Sequence, residues 1–244
     1  MGSFYDDETI EDLQLNGLRL IQKKTGFRLG MDSVLLADFA RIRQTDVVAD
    51  LGTGNGALLL LLHGRGKGAR YLGVEIQQEA AELAGRNMAL NHLEDRAEII
   101  RMDVREIPGC LGPCTVDAVV CNPPYGSPSS TLKSPYAARS IARNQEADTL
   151  DQFFRSARWI LKGKGKISLV YPAPPMMTLL NGLHDNGLEP KRMRLVYPVA
   201  GKEANLILVE AVKDAKPAIL HLPPLIIRHE DGSMTEELKR IYSL

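Results

Sequence analysis

Residues 46–64, "DVVADLGTGNGALLLLLHG", decide the fold. The opening "DVVADLG" (46–52) reads as a buried strand and the closing "ALLLLLHG" (57–64) as a Leu-rich helix. A run apolar on both faces belongs inside a parallel sheet covered by helices on each side. Between the two elements stand Gly52, Gly54 and Gly56. Glycine lets the backbone turn sharply and approach a ligand closely, here at the amino end of the following helix.

The same alternation continues outward. "RYLGVEI" (70–76), "AEIIRMD" (97–103), "VDAVVCN" (116–122) and "KISLVYP" (166–172) read as further strands. Helical patterns lie at 77–93, 148–161 and 175–187. "RMRLVYP" (192–198) and "NLILVEA" (205–211) are separated by six residues, too short for a crossover, so they predict an antiparallel hairpin. The expected fold is α/β: a seven-stranded, mostly parallel Rossmann-like sheet with one reversed strand and helices on both faces. A helix is expected at 32–42 with Asp32 or Ser33 as its cap, and a short final helix capped by Ser233 or Thr235. The Ser- and Pro-rich stretch 126–140 predicts a long loop. One domain over 1–244 is the simplest organisation: a cap element at 1–45, the core sheet at 46–213 and a tail at 214–244.

Bulk properties exclude several classes. The 244 residues are 44% hydrophobic and 25% charged, with zero net charge. No apolar run approaches the ~20 residues of a membrane helix. The start "MGSFYDDETIEDLQ" is acidic rather than signal-like, and Asp6 stands where a myristoylation site needs Ser or Thr. Cys110, Cys114 and Cys121 read as free thiols of a cytoplasmic protein, and no second ligand pair at metal spacing accompanies them. Trp159 and the pair Met176–Met177 read as packing residues. Charge is segregated: residues 126–166 carry eight bases against three acids, while 1–16 carry five acids and no base.

The glycine turn has two rival ligands. Dinucleotide sites use G-x-G-x-x-G, whereas here the spacing is G-x-G-x-G with Asp50 two residues ahead. A carboxylate there repels a pyrophosphate and attracts an ammonium or sulfonium, both of which S-adenosylmethionine carries. Glu75 ends the second strand, where it can accept ribose hydroxyls, and Asp103 ends the third, where it can accept from an adenine amine. Three acids at successive carboxyl strand ends lie where open α/β sheets bind ligands. The fourth strand then runs into "NPPY" (122–125), an amide, two rigid prolines and an aromatic ring.

The series DLGTGNG, GVEI, MDV and NPPY resembles the class I S-adenosylmethionine-dependent methyltransferases that act on amino groups. The resemblance implies that Asn122 and the Pro123 carbonyl accept hydrogen bonds from a planar exocyclic amine. It further implies that Pro124 stiffens the turn and Tyr125 stacks on the planar group. For the cofactor it implies Asp50, Gly52, Thr53, Gly54, Asn55, Gly56, Glu75, Ile76, Asp103, Val104 and Asn122. Phe27, Gly30, Asp32, Leu35 and Leu36 match the Phe-x-x-Gly-x-Asp-x-x-Leu-Leu element of the bacterial valine-tRNA adenine-37 N6-methyltransferase family, as does the end "PPLIIRHEDGSMTEELKRIY". By that analogy Gly30, Asp32 and Ser33 close the methionine side of the cofactor. One departure is Ala142-Arg143-Asn144-Gln145, where family members often read Ala-Arg-His-Glu. Arg139, Arg143, Lys162, Lys164 and Lys166 are candidates for RNA phosphates, although 162–166 also reads as a charged helix-to-strand turn. The expectation is an RNA methyltransferase for adenine N6, in a tRNA anticodon loop, with S-adenosylmethionine as methyl donor, no metal and no membrane. The alternatives are guanine N2 of ribosomal RNA and glutamine N5 of a protein. A binding module without catalysis is opposed by the intact Asn122 and Tyr125, and a nicotinamide oxidoreductase by Asp50 and the glycine spacing.

Overall fold

A computed structural model describes residues 5–25, 29–123 and 135–242, with the side chains of 135–147 outside that description. A hairpin, β1 (Glu8–Asp12) and β2 (Arg19–Lys23), precedes helix α1 (Met31–Phe39). The alternating core follows as β3 (Val47–Leu51), α2 (Ala57–Gly64), β4 (Arg70–Glu75), α3 (Gln78–Leu90) and β5 (Ala97–Arg101). After a 3-10 turn at Val104–Glu106 come α4 (Ile107–Cys110), β6 (Val116–Cys121), α5 (Pro135–Ile160), β7 (Leu161–Pro172) and α6 (Met176–Asp185). The chain closes with β8 (Leu188–Val199), β9 (Leu206–Lys213), β10 (Leu220–His221), β11 (Leu225–Arg228) and α7 (Glu236–Tyr242).

Seven strands are ordered β8-β9-β7-β6-β3-β4-β5, and only β9 runs against its neighbours, as expected. The sheet is larger than seven strands, because β10 and β11 from the tail add in parallel to β8, making nine. One face is covered by α1, α2 and α7, where the Leu58–Leu62 run is buried together with Val48, Val120 and Val170. The other is covered by α4, α5 and α6, which bury Leu51, Val119, Phe154 and Tyr171. Successive residues along each strand alternate between these two layers, so the runs of β3, β6 and β7 are buried on both sides, whereas the edge strand β5 has none of its residues fully buried.

Several local expectations are corrected. The hairpin β1–β2 had no sequence signal: "ETIED" is mostly polar, and the pair is seated through β2, whose Leu20 joins the core and which packs against α3. Helix α1 is capped by Gly30 in extended conformation, and Asp32 and Ser33 lie inside its first turn. The second part of the expected 126–140 loop is helical, since α5 begins at Pro135, a residue suited to a helix start. Residues 162–166 are not a turn but the first part of β7, bulged against β6, with Lys164 at φ +62°. Trp159 and Met177 are exposed, Met177 to 61%, so packing does not account for them, whereas Met176 packs against the core. Thr235 caps α7 as expected, its hydroxyl accepting from Leu238 N–H. Among the described residues no helix is long and apolar enough to cross a membrane.

Helix α1 is anchored at its carboxyl end. Lys67 Nζ donates to the carbonyls of Ala37, Asp38 and Ala40, and Arg192, paired with Glu210 at 3.1 Å, donates to that of Phe39. Cations satisfy orphan carbonyls and complement the helix dipole there. The opposite end of α1 is thereby held beside the end of β6.

Candidate active site

The glycine turn leaves β3 at the carboxyl edge of the sheet. Gly52 and Thr53 N–H both donate to the Val74 carbonyl of β4, at 2.8 and 3.0 Å, folding the turn over the neighbouring strand. Gly52, Gly54 and Gly56 have φ of 77°, 57° and 79°, the left-handed region that disfavours side chains. At Gly56 an added Cβ would also sit 2.9 Å from the Met88 methyl of α3. Asp50 is 1% exposed and lies behind the turn rather than on the cavity wall, with Thr53 Oγ1 donating to it at 2.7 Å. Burial pushes its carboxyl up to about 7, opposed by the Thr53 hydrogen bond and reinforced by the Glu75 charge.

A cavity of about 650 Å³ opens beside the turn. Of the expected cofactor residues, Gly52, Gly54, Asn55, Glu75, Ile76, Asp103, Val104 and Asn122 line it, as does Pro123. Thr53 and Gly56 support the turn from behind, while Gly30 and Asp32 are not on the wall. Glu75 is buried, not a free rim carboxylate: its oxygens accept from Gly54 and Gln77 N–H, each at 2.9 Å. Each oxygen retains acceptor capacity for a hydroxyl. Asp103 accepts from Arg105 N–H at 2.9 Å and from its guanidinium, and that bonding holds its carboxyl below the usual range. Ile76, 56% exposed, forms an apolar wall with Leu83, Val104 and Phe153.

At the end of β6, Asn122 Nδ2 donates to Ser33 Oγ of α1 at 3.4 Å, and Pro123 is buried. That contact turns the amide so that its oxygen is the acceptor left available. Pro124 and Tyr125 lie outside the described residues, as do the side chains of Arg139 and Arg143. Lys162 and Lys164 are not brought to the cavity. They start β7 at the opposite, amino edge of the sheet, where Lys162 pairs with Asp117 at 2.7 Å and Lys164 donates to the Asp214 carbonyl. Lys166, which pairs with Ala118 near the start of β6, also lies away from the cavity.

Lys23 and Thr25 on the cavity wall were missed by sequence reasoning, because they end and follow a hairpin without a periodic pattern. Asn87, fully buried on α3, was missed as well, and its place in an otherwise amphipathic helix was the available signal. Among the described residues no three His, Cys, Asp or Glu are grouped to hold a metal.

The wall fits S-adenosylmethionine. Behind the wall, buried Asp50 has only a neutral donor among the described residues and favours a nearby cation; on the wall, Glu75 presents acceptors for vicinal hydroxyls and the apolar side chains suit a purine face. Asn55 also lines the cavity, and its buried Nδ2 has no hydrogen-bond partner among the described residues. An orphaned buried donor costs free energy unless a ligand meets it.

Comparison with known proteins agrees with this geometry. The profile of the methyltransferase small domain family matches residues 28–183. A tRNA1(Val) (adenine(37)-N6)-methyltransferase from Parabacteroides distasonis is 30% identical over 208 residues, covering 84% of this chain and 86% of the relative. One of the same name from Tolumonas auensis is 30% identical, covering 88% of each chain. A solved structure described as a predicted O-methyltransferase from Agrobacterium tumefaciens superposes with a TM-score of 0.69 at 23% identity, over 87% of this chain and 96% of that one, which bears on fold alone. The chain belongs to the methyltransferase small domain family, among relatives that carry the name tRNA1(Val) (adenine(37)-N6)-methyltransferase.

Proposed function

We propose that this enzyme transfers a methyl group from S-adenosylmethionine to the exocyclic N6 of an adenine in tRNA, at position 37 of a valine tRNA, in the cytoplasm. The observation that carries the reading is the Asn122 amide on the wall of the same cavity as Glu75, Asp103 and the glycine turn. Relatives of that name at 30% identity over most of the chain support the substrate.

The donor supplies an electrophilic methyl on a sulfonium. The chain's own residues prepare the amine. Asn122 Oδ1, left available by the Ser33 contact, accepts one N6 proton and draws the nitrogen lone pair out of conjugation with the ring. An amide is not a base at neutral pH, so Asn122 only accepts a hydrogen bond from that N–H, and the proton displaced from N6 on methylation passes to water. The buried Pro123 stiffens the backbone behind Asn122, and orientation of this kind supplies much of the rate in a two-substrate reaction. A base in an anticodon loop is splayed out at small cost, which suits entry into a pocket at a sheet edge.

Labelled S-adenosylmethionine incubated with bulk tRNA, ribosomal RNA and protein, followed by digestion to nucleosides, tests the reading. Label in N6-methyladenosine from tRNA is the expected result. Label in a methylguanosine of ribosomal RNA, or in protein, overturns it.

A further inference from the structure

Helix α3 and its carboxyl-cap residue present two asparagines one turn apart, Asn87 and Asn91, and both grip the edge of β2 that β1 leaves unpaired. Asn87 Oδ1 accepts from Ile21 N–H at 2.7 Å, and its Nδ2 donates to the Ile21 carbonyl at 2.9 Å. Asn91 repeats the pattern on Arg19, accepting from N–H at 2.9 Å and donating to the carbonyl at 2.7 Å. Residues at i and i+4 of a helix share a face, and alternate residues of a strand share an edge, so the two spacings match.

The two amides differ in their remaining proton. Asn91 Nδ2 donates it within its own helix, to the Asn87 carbonyl at 2.8 Å. Asn87 Nδ2 donates it to the Asn55 carbonyl at 2.9 Å, in the glycine turn. Asn87 is fully buried, so no water replaces these bonds. Strand β2 ends at Lys23, which lines the cavity and pairs with Glu79 of α3 at 2.8 Å.

We propose that Asn87 is a positioning residue for the methyl donor, tying the glycine turn through the Asn55 carbonyl to the strand that carries Lys23 to the cavity wall. The inference rests on the reading of the cavity as the S-adenosylmethionine site. Asn87 touches neither substrate; it fixes the turn whose Gly52, Gly54 and Asn55 line the cavity, with the Asn55 Nδ2 without a partner among the described residues, so it governs affinity rather than the chemical step.

Asn91 provides the internal control, since it docks the same strand without touching the turn. Asn87→Ala raises the Kd for S-adenosylhomocysteine and the KM for S-adenosylmethionine by about tenfold, the size of one lost buried hydrogen bond. Its kcat at saturating donor stays within about twofold of the parent, the pattern of binding lost without loss in the chemical step. Asn91→Ala lowers the Tm but leaves that Kd within about twofold, a difference under 0.5 kcal/mol. Equal affinity losses in the two variants, or none in either, overturn the proposal and leave Asn87 a docking residue only. If Asn87→Ala does not fold, hydrogen exchange on the parent decides instead. Coupling requires the Ile21 amide to gain protection when S-adenosylhomocysteine binds, and an unchanged rate overturns it. A parent that binds no S-adenosylhomocysteine defeats the functional reading itself, a result distinct from equal behaviour of the two variants.

Discussion

The two edges of the sheet differ in how completely their acids are matched by cations. At the amino edge charged groups are matched within the protein: Lys162 with Asp117 at 2.7 Å, Arg158 with Asp214 at 2.9 Å, and Lys213 with the Leu161 carbonyl at 2.6 Å. Burial alone would raise the Asp117 carboxyl, yet its bonds to Lys162 and to Val47 N–H hold it below the usual range. At the carboxyl edge Asp103 is likewise paired, with Arg105, but Asp50 and Glu75 accept, among the described residues, from neutral donors: the Thr53 hydroxyl and the Gly54 and Gln77 amides. Neither has an ion pair among the described residues. A charge compensated internally is structural, whereas an acid buried next to a cavity without a cation favours a cationic ligand.

The sharpest way to break this comparison is at the end of β6. Asn122→Ala should lower turnover by about 100-fold or more, the usual cost of an oriented hydrogen bond strengthened in the transition state. Its affinity for S-adenosylhomocysteine should stay within a few-fold, measured by calorimetry. Retention of most activity would remove Asn122 from the chemistry.

A smaller effect is expected at Asp50. The donor's cationic groups bind better to the ionised carboxylate, so affinity for S-adenosylmethionine should rise as pH increases through about 7, the value to which burial pushes Asp50. Asp50→Asn should flatten that rise and weaken binding by about tenfold at pH 8, about 1.4 kcal/mol. Stability moves the other way. A carboxyl whose folded pKa is above its unfolded value binds an extra proton in the native state, so the ligand-free protein loses stability as pH rises from about 4 to about 7. The Asn variant should lose less over that window and melt higher than the parent at pH 8. A ligand-free melting curve with the same pH dependence in both proteins would show that Asp50 ionises normally.

The smallest effects separate the two groups of bases. Neutralising Lys162 and Lys164 at the amino edge should leave tRNA affinity and its salt dependence unchanged, with a stability loss below about 1 kcal/mol for an exposed pair. Neutralising Arg139 and Arg143, which the chain places in α5 after the Asn122 turn, should flatten the log–log salt slope by roughly 0.7 per lost phosphate contact on single-stranded RNA. Equal slopes for both double variants would place the RNA elsewhere.

Much of the site was readable from short-range chemistry. Acids and glycines at carboxyl strand ends can be located once the strands are located, and β3 and β6 announce themselves by apolar runs, with β4 and β5 following from the same strand–helix alternation. The charge excess at 126–166 misled for Lys162 and Lys164, because proximity in sequence to the Asn122 motif becomes the full length of β7 in space. The hairpin was invisible for a related reason: β1 and β2 pair with each other, yet their seat is set by Asn87 and Asn91, more than sixty positions further along the chain.

The order of apolar runs and turn residues, by itself, determined the parallel α/β core and its single reversed strand, and pointed to the carboxyl edge, where the cavity and the candidate site lie. These follow from periodicity and connection length, which are local properties. Only the tertiary structure decided which charges are spent inside the protein, that the tail extends the sheet to nine strands, and that the hairpin forms a wall of the cavity. Burial, pKa and hydrogen-bond partners depend on groups brought together across the fold, as at Asp50, where a carboxylate written like any other is moved to about 7 by what surrounds it.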